Sequence, residues 1–360
     1  MRSANLSYQP RLDHLRCVAA SLVFFFHVFH TYYLHWQPAP DRPWLGLLTE
    51  GHTGVGLFFT LSGFLFMLIA LQGGTIEYGR FLRNRVLRIF PLFVTVFVIA
   101  ISMARDQFRP MDALYLLFSN LGVAPTSNAF ITGAAWTISI EFTFYLVFPF
   151  LARFAIERGP WYLVRLLALL LLFKLAAYGV TERSTHMFYS TLLGRFDQFL
   201  IGMLAAQLCA AHADWMQRHG RALLVAAIAV VFVNAGVQSH YASYFLPQPK
   251  HAFWVTWSMQ EATGWALLIA AYQAAAPRWP QRFERFLLRG GEISFSFYLL
   301  HTVVIYTVFT FVGPLAPTGR PLIDGLVNVA LLYPLCWIVA SLSFETIEKP
   351  FLALRQRYLK

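Results

Sequence analysis

The chain is poor in charge and in cysteine. Of its 360 residues 12% are charged and three are Cys. A soluble domain carries about a quarter charged residues, so a water-exposed surface over most of this chain is excluded. Cys17, Cys209 and Cys336 stand singly inside apolar runs, which excludes both a disulfide framework and the paired spacing of a metal site. Repeats, low-complexity tracts and long polar linkers are lacking. The first residues also lack the short apolar core and small-residue cleavage site of a leader peptide, so the first apolar helix is expected to stay as an anchor.

Hydrophobicity is what the chain has in abundance: 58% apolar residues and 35 Phe. Runs of about 18 or more apolar residues recur from end to end, each long enough to cross about 30 Å of hydrocarbon. The runs predict an all-α polytopic membrane protein with spans at 14–34, 54–72, 88–104, 135–154, 161–179, 194–211, 221–238, 253–273, 292–313 and 322–346. One membrane domain over 1–360, with no appended soluble domain, is expected. The stretch "MDALYLLFSNLGV" at 111–123 is too short to span and predicts an interfacial piece.

The formal charge of +11 does not mark a nucleic-acid binder here. Most of the 28 Lys and Arg residues fall in the segments that alternation of ten spans puts on the side of both termini. The excess of basic residues on one side predicts that both termini are cytoplasmic. A multi-pass protein of the plasma membrane, the inner membrane of a bacterium, follows.

A few polar residues lie where lipid disfavours them. In "RLDHLRCVAASLVFFFH", Arg16 and His27 are eleven residues apart. On an α-helix that is three turns plus roughly 20°, so both project from one face, about 16 Å apart along the axis. Arg16 sits at the cytoplasmic mouth and is alternatively a snorkelling anchor. His27 lies well inside the membrane, where an ionisable group is a functional candidate, although a helix-packing role also fits. In "RFLRNRVLRIFPLF", Arg85 and Arg88 are spaced i, i+3 and share a face. Guanidinium forks suit phosphate oxygens, so Arg16, Arg85 and Arg88 at similar depth predict one anion site.

Glu141 in "WTISIEFTFYLVFP" falls within a turn of the depth of His27, and a carboxylate there can orient an imidazole and raise its basicity. His301 in "SFSFYLLH" and Ser62 in "LSGFLF" are near the same level. Arg195 and Asp197 in "GRFDQF" lie near the outer end of their span, as an ion pair or as acceptor contacts. The stretch "QSHYASYFLPQPKHAFW" at 238–254 reads as an outer aromatic belt in preference to a sugar platform. An inner anion site, a base deep in the membrane and a carboxylate together suit a reaction through the membrane, with a phosphorylated donor inside and a hydroxyl acceptor outside.

These blocks, together with "GVGLFFTLSGFLF" and "RFDQFLIGMLAA" and in this order, make the chain similar to the acyltransferase-3 family of membrane O-acyltransferases over nearly its full length. The resemblance puts the family's Arg-x10-His motif on Arg16 and His27 and its Arg-x-x-Arg motif on Arg85 and Arg88. It implies transfer of an acyl group, most often acetyl, from acetyl-CoA or another acyl-CoA to a hydroxyl of a surface glycan, a lipid-linked sugar or a secreted small molecule. Two positions depart from the pattern: His14 stands where Gly is usual, and Gly56 stands where many members are acidic. On this reading Arg16, Arg85 and Arg88 hold the phosphates of CoA. His27 is the general base aided by Glu141, and direct transfer is favoured over an acyl-histidine. Ser62, Arg195, Asp197 and His301 are candidate substrate contacts, and no metal is expected. A transporter or flippase for an anionic or glycan substrate is the leading alternative, and a non-catalytic membrane scaffold is a second.

Overall fold

The computed structural model describes residues 5–32, 43–103, 136–181, 184–242 and 250–360. The interfacial piece expected at 111–123 lies outside these residues, as do the middle residues, 243–249, of the belt expected at 238–254. Among the described residues the only regular structure is helical, apart from an isolated bridge between Ile76 and Leu359. The elements are α1 (Pro10–Tyr32), the short α2 (Gly46–Thr49), α3 (Thr53–Ala70), α4 (Tyr78–Met103), α5 (Trp136–Arg158) and α6 (Pro160–Val180). They continue with the short α7 (Ser184–Ser190), α8 (Leu192–Ala211), α9 (Ala213–Ala242), α10 (Phe253–Ala275) and α11 (Gln281–Glu292). Last come α12 (Ser294–Phe311), α13 (Pro321–Ser343), a π-helical turn over Phe344–Glu348 and the short α14 (Lys349–Leu352).

Among the described residues eight helices are long and apolar enough to cross a membrane: α1, α3, α4, α5, α6, α9, α12 and α13. α8 and α10, also expected as spans, have 20 and 23 residues and therefore the length, at 1.5 Å per residue. Their sequences are less apolar because they carry Arg195, Asp197 and Glu261, all of which the fold buries. Asn5 and the last residues of the chain, 358–360, lie on one face. Asn5 Oδ1 accepts from the backbone N–H groups of Tyr358 and Leu359, and Thr75 exchanges backbone hydrogen bonds with Lys360. The three cysteines are free thiols.

α3 is the central helix, almost wholly buried between α1 and α8. Lipid offers little hydrophobic drive for helix association, so contact there depends on close packing and small residues. A Cβ on Gly54 would come within 2.3 Å of the Ala19 carbonyl oxygen of α1. On the other side a Cβ on Gly63 would meet the Phe199 carbonyl oxygen at 2.1 Å, and one on Gly202 the Thr60 carbonyl oxygen at 2.1 Å. These contacts are with backbone, which cannot move aside. By contrast α6 turns Leu169, Leu172, Phe173 and Leu175 outward, as a helix facing lipid does. The amphipathic α11 lies across the start of α1, with Gly290 against the Cys17 sulfur and Gly291 against the Asp13 backbone.

Replacing Gly202 or Gly63 with Ala is expected to destabilise the protein by about 1–3 kcal/mol through overpacking, read as a lower thermal midpoint of purified protein. Gly79→Ala, where a Cβ meets nothing within 4 Å, is expected to hold the midpoint or raise it slightly. Equal effects at all three sites would contradict the close α3–α8 approach.

Candidate functional site

The face that carries the chain ends holds a cluster of arginines. Arg16 comes from the first turns of α1, Arg85 and Arg88 from α4, and Arg355 from the segment after α14. All four line one cavity of about 150 Å³, which runs on to Ser62, Glu141, Tyr145, Thr137 and Tyr298. The i, i+3 spacing on α4 does what the sequence suggested: it turns both guanidinium groups to the same space. Arg16 Nη1 binds Asp13 Oδ1 at 2.6 Å and Arg88 Nη1 lies 3.4 Å from Glu348 Oε2. Arg85 is held by rings instead, its guanidinium carbon 5.0 Å from the centroid of Phe66, 5.7 Å from Phe81 and 5.8 Å from Tyr145. Stacking suits arginine because its charge is delocalised and weakly hydrated.

Arg355, outside the spanning helices, has its pKa lowered to about 10, first by burial and then by the nearby Arg88, Arg85 and Arg16. It stays protonated at neutral pH, in a setting that a bound anion would relieve. Sequence reasoning counted Arg355 only as one more basic residue near the last helix.

Glu141 sits on the wall of the same cavity. Its Oε1 accepts from Ser62 Oγ at 3.0 Å and from the Tyr145 hydroxyl one turn along α5. It does not pair with His27, as equal depth had suggested. Depth along a helix axis says nothing about which way a side chain turns, and the neighbour of α1 at that level is α12.

The partner of His27 is His301. Its Nε2 lies 3.0 Å from His27 Nδ1, with ring centroids 4.7 Å apart. The carbonyls around the pair assign its protons. His301 Nδ1 is 3.2 Å from the Phe297 carbonyl oxygen, which can only accept, so Nδ1 carries the proton and Nε2 presents a lone pair. His27 Nδ1 is 2.9 Å from the Val23 carbonyl oxygen, so its N–H serves both that oxygen and His301 Nε2. This tautomer makes His27 Nε2 the basic nitrogen.

The cavity ends one helical turn short of this pair. Tyr298 lines it, exchanges a hydrogen bond with Thr137 at 3.0 Å, and has its ring centroid 5.9 Å from that of His301. The arginines hold one end of this space, and Phe58 and Tyr298, whose rings pack edge to face at 5.7 Å, stand at the other end, between it and the histidine pair.

Arg195 and Asp197 do not join this site and do not pair with each other. Both are fully buried. Asp197 Oδ2 binds Lys174 Nζ at 2.5 Å and Ser258 Oγ at 2.6 Å, and Arg195 Nη1 binds Glu261 Oε2 at 3.0 Å. Gln198 Nε2 donates to the same Glu261 oxygen at 2.5 Å. Arg195 also lies over the Tyr189 ring at 4.8 Å. These two pairs tie α6, α8 and α10 together. The isolated lysine in "LLLLFKLAAY" and the isolated glutamate in "WSMQEATGW" were the sequence signals for them.

The departures from the motif pattern also acquire reasons. A Cβ on Gly56 would lie 2.5 Å from the Glu261 carboxylate. The space that an acidic side chain at 56 would take is filled here by a carboxylate from α10. His14 Nδ1 shares a hydrogen bond of 3.0 Å with the Tyr272 hydroxyl, docking α1 on the end of α10.

Comparison with known proteins bears on what such a site does. The sequence profile of a family described as an acyltransferase domain matches residues 9–344. The chain is similar to Nodulation protein 10 of Rhizobium leguminosarum bv. viciae, 25% identical over 97% of this chain and 94% of that one. It is also similar to Acyltransferase MdmB of Streptomyces mycarofaciens, 31% identical over 39% of this chain and 38% of that one. No solved structure matches.

Removing one member of a buried ion pair strands its partner's charge, at a cost of about 3–5 kcal/mol. Asp197→Ala and Glu261→Ala are each expected to lower the thermal midpoint or prevent accumulation of folded protein. A variant that melts like wild type would show that these pairs do not hold the bundle together.

Proposed function

The chain belongs to the acyltransferase-3 family, and from that premise we propose that it moves an acyl group, acetyl in the first place, from acyl-CoA to a hydroxyl of a surface glycan or lipid-linked sugar. The observation that carries this reading is the single cavity with arginines at one end and the His27–His301 pair one turn beyond the other. Phosphates of a donor suit the first end through charge-assisted hydrogen bonds. A hydroxyl to be deprotonated suits the second. The one-sided excess of Lys and Arg supports a cytoplasmic position for the arginine end, the compartment of acyl-CoA, in a plasma membrane that for a bacterium is the inner one.

In this mechanism the pantetheine arm lies along Ser62, Glu141 and Thr137. Glu141 thus serves the donor arm instead of His27. His27 Nε2 takes the proton of the acceptor hydroxyl as its oxygen bonds to the thioester carbon. His301 Nε2 and the Val23 carbonyl oxygen, both at His27 Nδ1–H, stabilise the resulting imidazolium, as a carboxylate does in other base dyads. The carbon–sulfur bond then breaks and the CoA thiolate takes the proton from His27. Atoms and charge balance without a metal or an acyl-histidine. A secreted small molecule is the second class of acceptor that the family admits, and a glycan panel distinguishes it.

The test is CoA binding and acceptor-dependent thiol release by purified protein. His27→Ala is expected to lower turnover by about 10²–10⁴-fold while CoA binding persists. Arg88→Ala is expected to weaken CoA binding about tenfold or more. Near-normal turnover by His27→Ala would remove the base. Absence of CoA binding to wild type would remove the donor and favour a transporter of an anionic substrate.

A further inference from the structure

The family match ends at residue 344, yet the cavity does not. Residues 353–360 leave α14 and run beneath the arginine end, held at nearly every step. Asn84 Nδ2 donates to the Gln356 carbonyl oxygen at 2.6 Å, and Asn84 Oδ1 accepts from the Gln356 N–H at 3.0 Å. Glu77 N–H donates to the Tyr358 carbonyl oxygen at 2.8 Å, and the buried Tyr358 ring meets the Phe81 ring edge to face at 5.2 Å. Asn84 immediately precedes Arg85 and lies one turn before Arg88. The segment is therefore clamped to the very helix that carries the arginine pair. It delivers Arg355, next to the clamped Gln356, to the wall of the cavity, where Arg355 Nε donates to the Leu352 carbonyl oxygen at 3.1 Å.

The charge balance of that wall is one-sided. Among the described residues it bears four arginines, and its one acidic side chain is Glu141. Asp13 and Glu348 are engaged with Arg16 and Arg88 from outside the wall. An arginine added from a different segment of the chain increases the repulsion among the others, and both burial and those neighbours depress its pKa. A rigid clamp that holds a fourth guanidinium against three others suits a ligand with several phosphates better than one with a single anionic group.

We infer that Arg355 is a donor-binding residue that reads the phosphate lying farthest from the reacting thioester, the 3′-phosphate of CoA. The inference rests on the acyl-CoA reading above and extends it to donor selectivity. The thioester must reach the His27 end, so the pantetheine occupies the Glu141 and Tyr298 half of the cavity and the diphosphate lies nearer Arg85 and Arg88. The nucleotide is then outermost, at the face where the segment 353–360 lies. Arg355 belongs to that rim and not to a spanning helix.

The experiment compares binding of CoA and of dephospho-CoA, which lacks only that phosphate, to the purified full chain. Wild type is expected to prefer CoA. Arg355→Gln is expected to weaken CoA about tenfold or more and to leave dephospho-CoA almost unchanged, so that the preference largely disappears. Arg355→Lys, which keeps the charge and loses the bidentate fork, is expected to fall between the two. Arg357→Gln, at an exposed neighbour in the same segment, is expected to behave as wild type and controls for disturbance of the clamp. If Arg355→Gln keeps the wild-type preference, or loses affinity equally for both compounds, Arg355 does not read the 3′-phosphate and the inference fails. If wild type binds neither compound, the acyl-CoA reading itself fails and takes the inference with it.

Discussion

A charge in hydrocarbon must find an opposite charge, a polar partner or a route to water, and the way each charge does so divides this molecule into two parts. On the α6, α8 and α10 side the charges are closed on one another: Lys174 with Asp197, Arg195 with Glu261, all at or near full burial. Two cations meet two carboxylates, and the pairs join three helices. On the α1, α4 and α12 side the balance is incomplete. Among the described residues four arginines share a cavity with Glu141 on its wall, and Asp13 and Glu348 reach Arg16 and Arg88 from outside it, three carboxylates to four guanidinium groups. A site with surplus positive charge in a water-poor space is a place for an anionic ligand.

α3 lies between the two parts. Its glycines let α1 approach on one face and α8 on the other. The same helix contributes Phe58 and Ser62 to the cavity and has Gly56 against Glu261. Gly56 shows how tightly the parts are coupled. A carboxylate could reach this spot from α3, but here it comes from α10, and the missing side chain at 56 is what makes room for it.

The reactive end depends on neighbours in the same way. α1 carries Arg16 on the cavity wall and His27 about 16 Å further along, beyond the far limit of the cavity. α12 supplies the partner His301, and one turn earlier it supplies Tyr298 on the cavity wall. Two carbonyl oxygens, of Val23 and Phe297, then settle the tautomers. The base is a consequence of where two helices touch, with each imidazole proton committed to an acceptor.

Much of this was legible in the sequence, and the division follows from geometry. Span lengths, the placement of Arg16 and His27 on one face, and the shared face of Arg85 and Arg88 depend on rise and rotation along a single helix, which any stretch of chain carries within itself. Depth is also such a quantity, and Arg16, Arg85 and Arg88, expected at one level, line one cavity. Which residue faces which across helices is not. Glu141 and His301 stood at the level of His27, yet only packing turned His301 toward it and Glu141 toward Ser62 and Tyr145. Arg195 and Asp197, two residues apart on one helix, found separate partners on two others. Arg355 lay in a segment with no periodicity to read, and hydrogen bonds to Asn84 and Glu77, far away in sequence, brought it to the cavity. Position along an axis was decided by the sequence, and azimuth and partnership by the close packing of the helices.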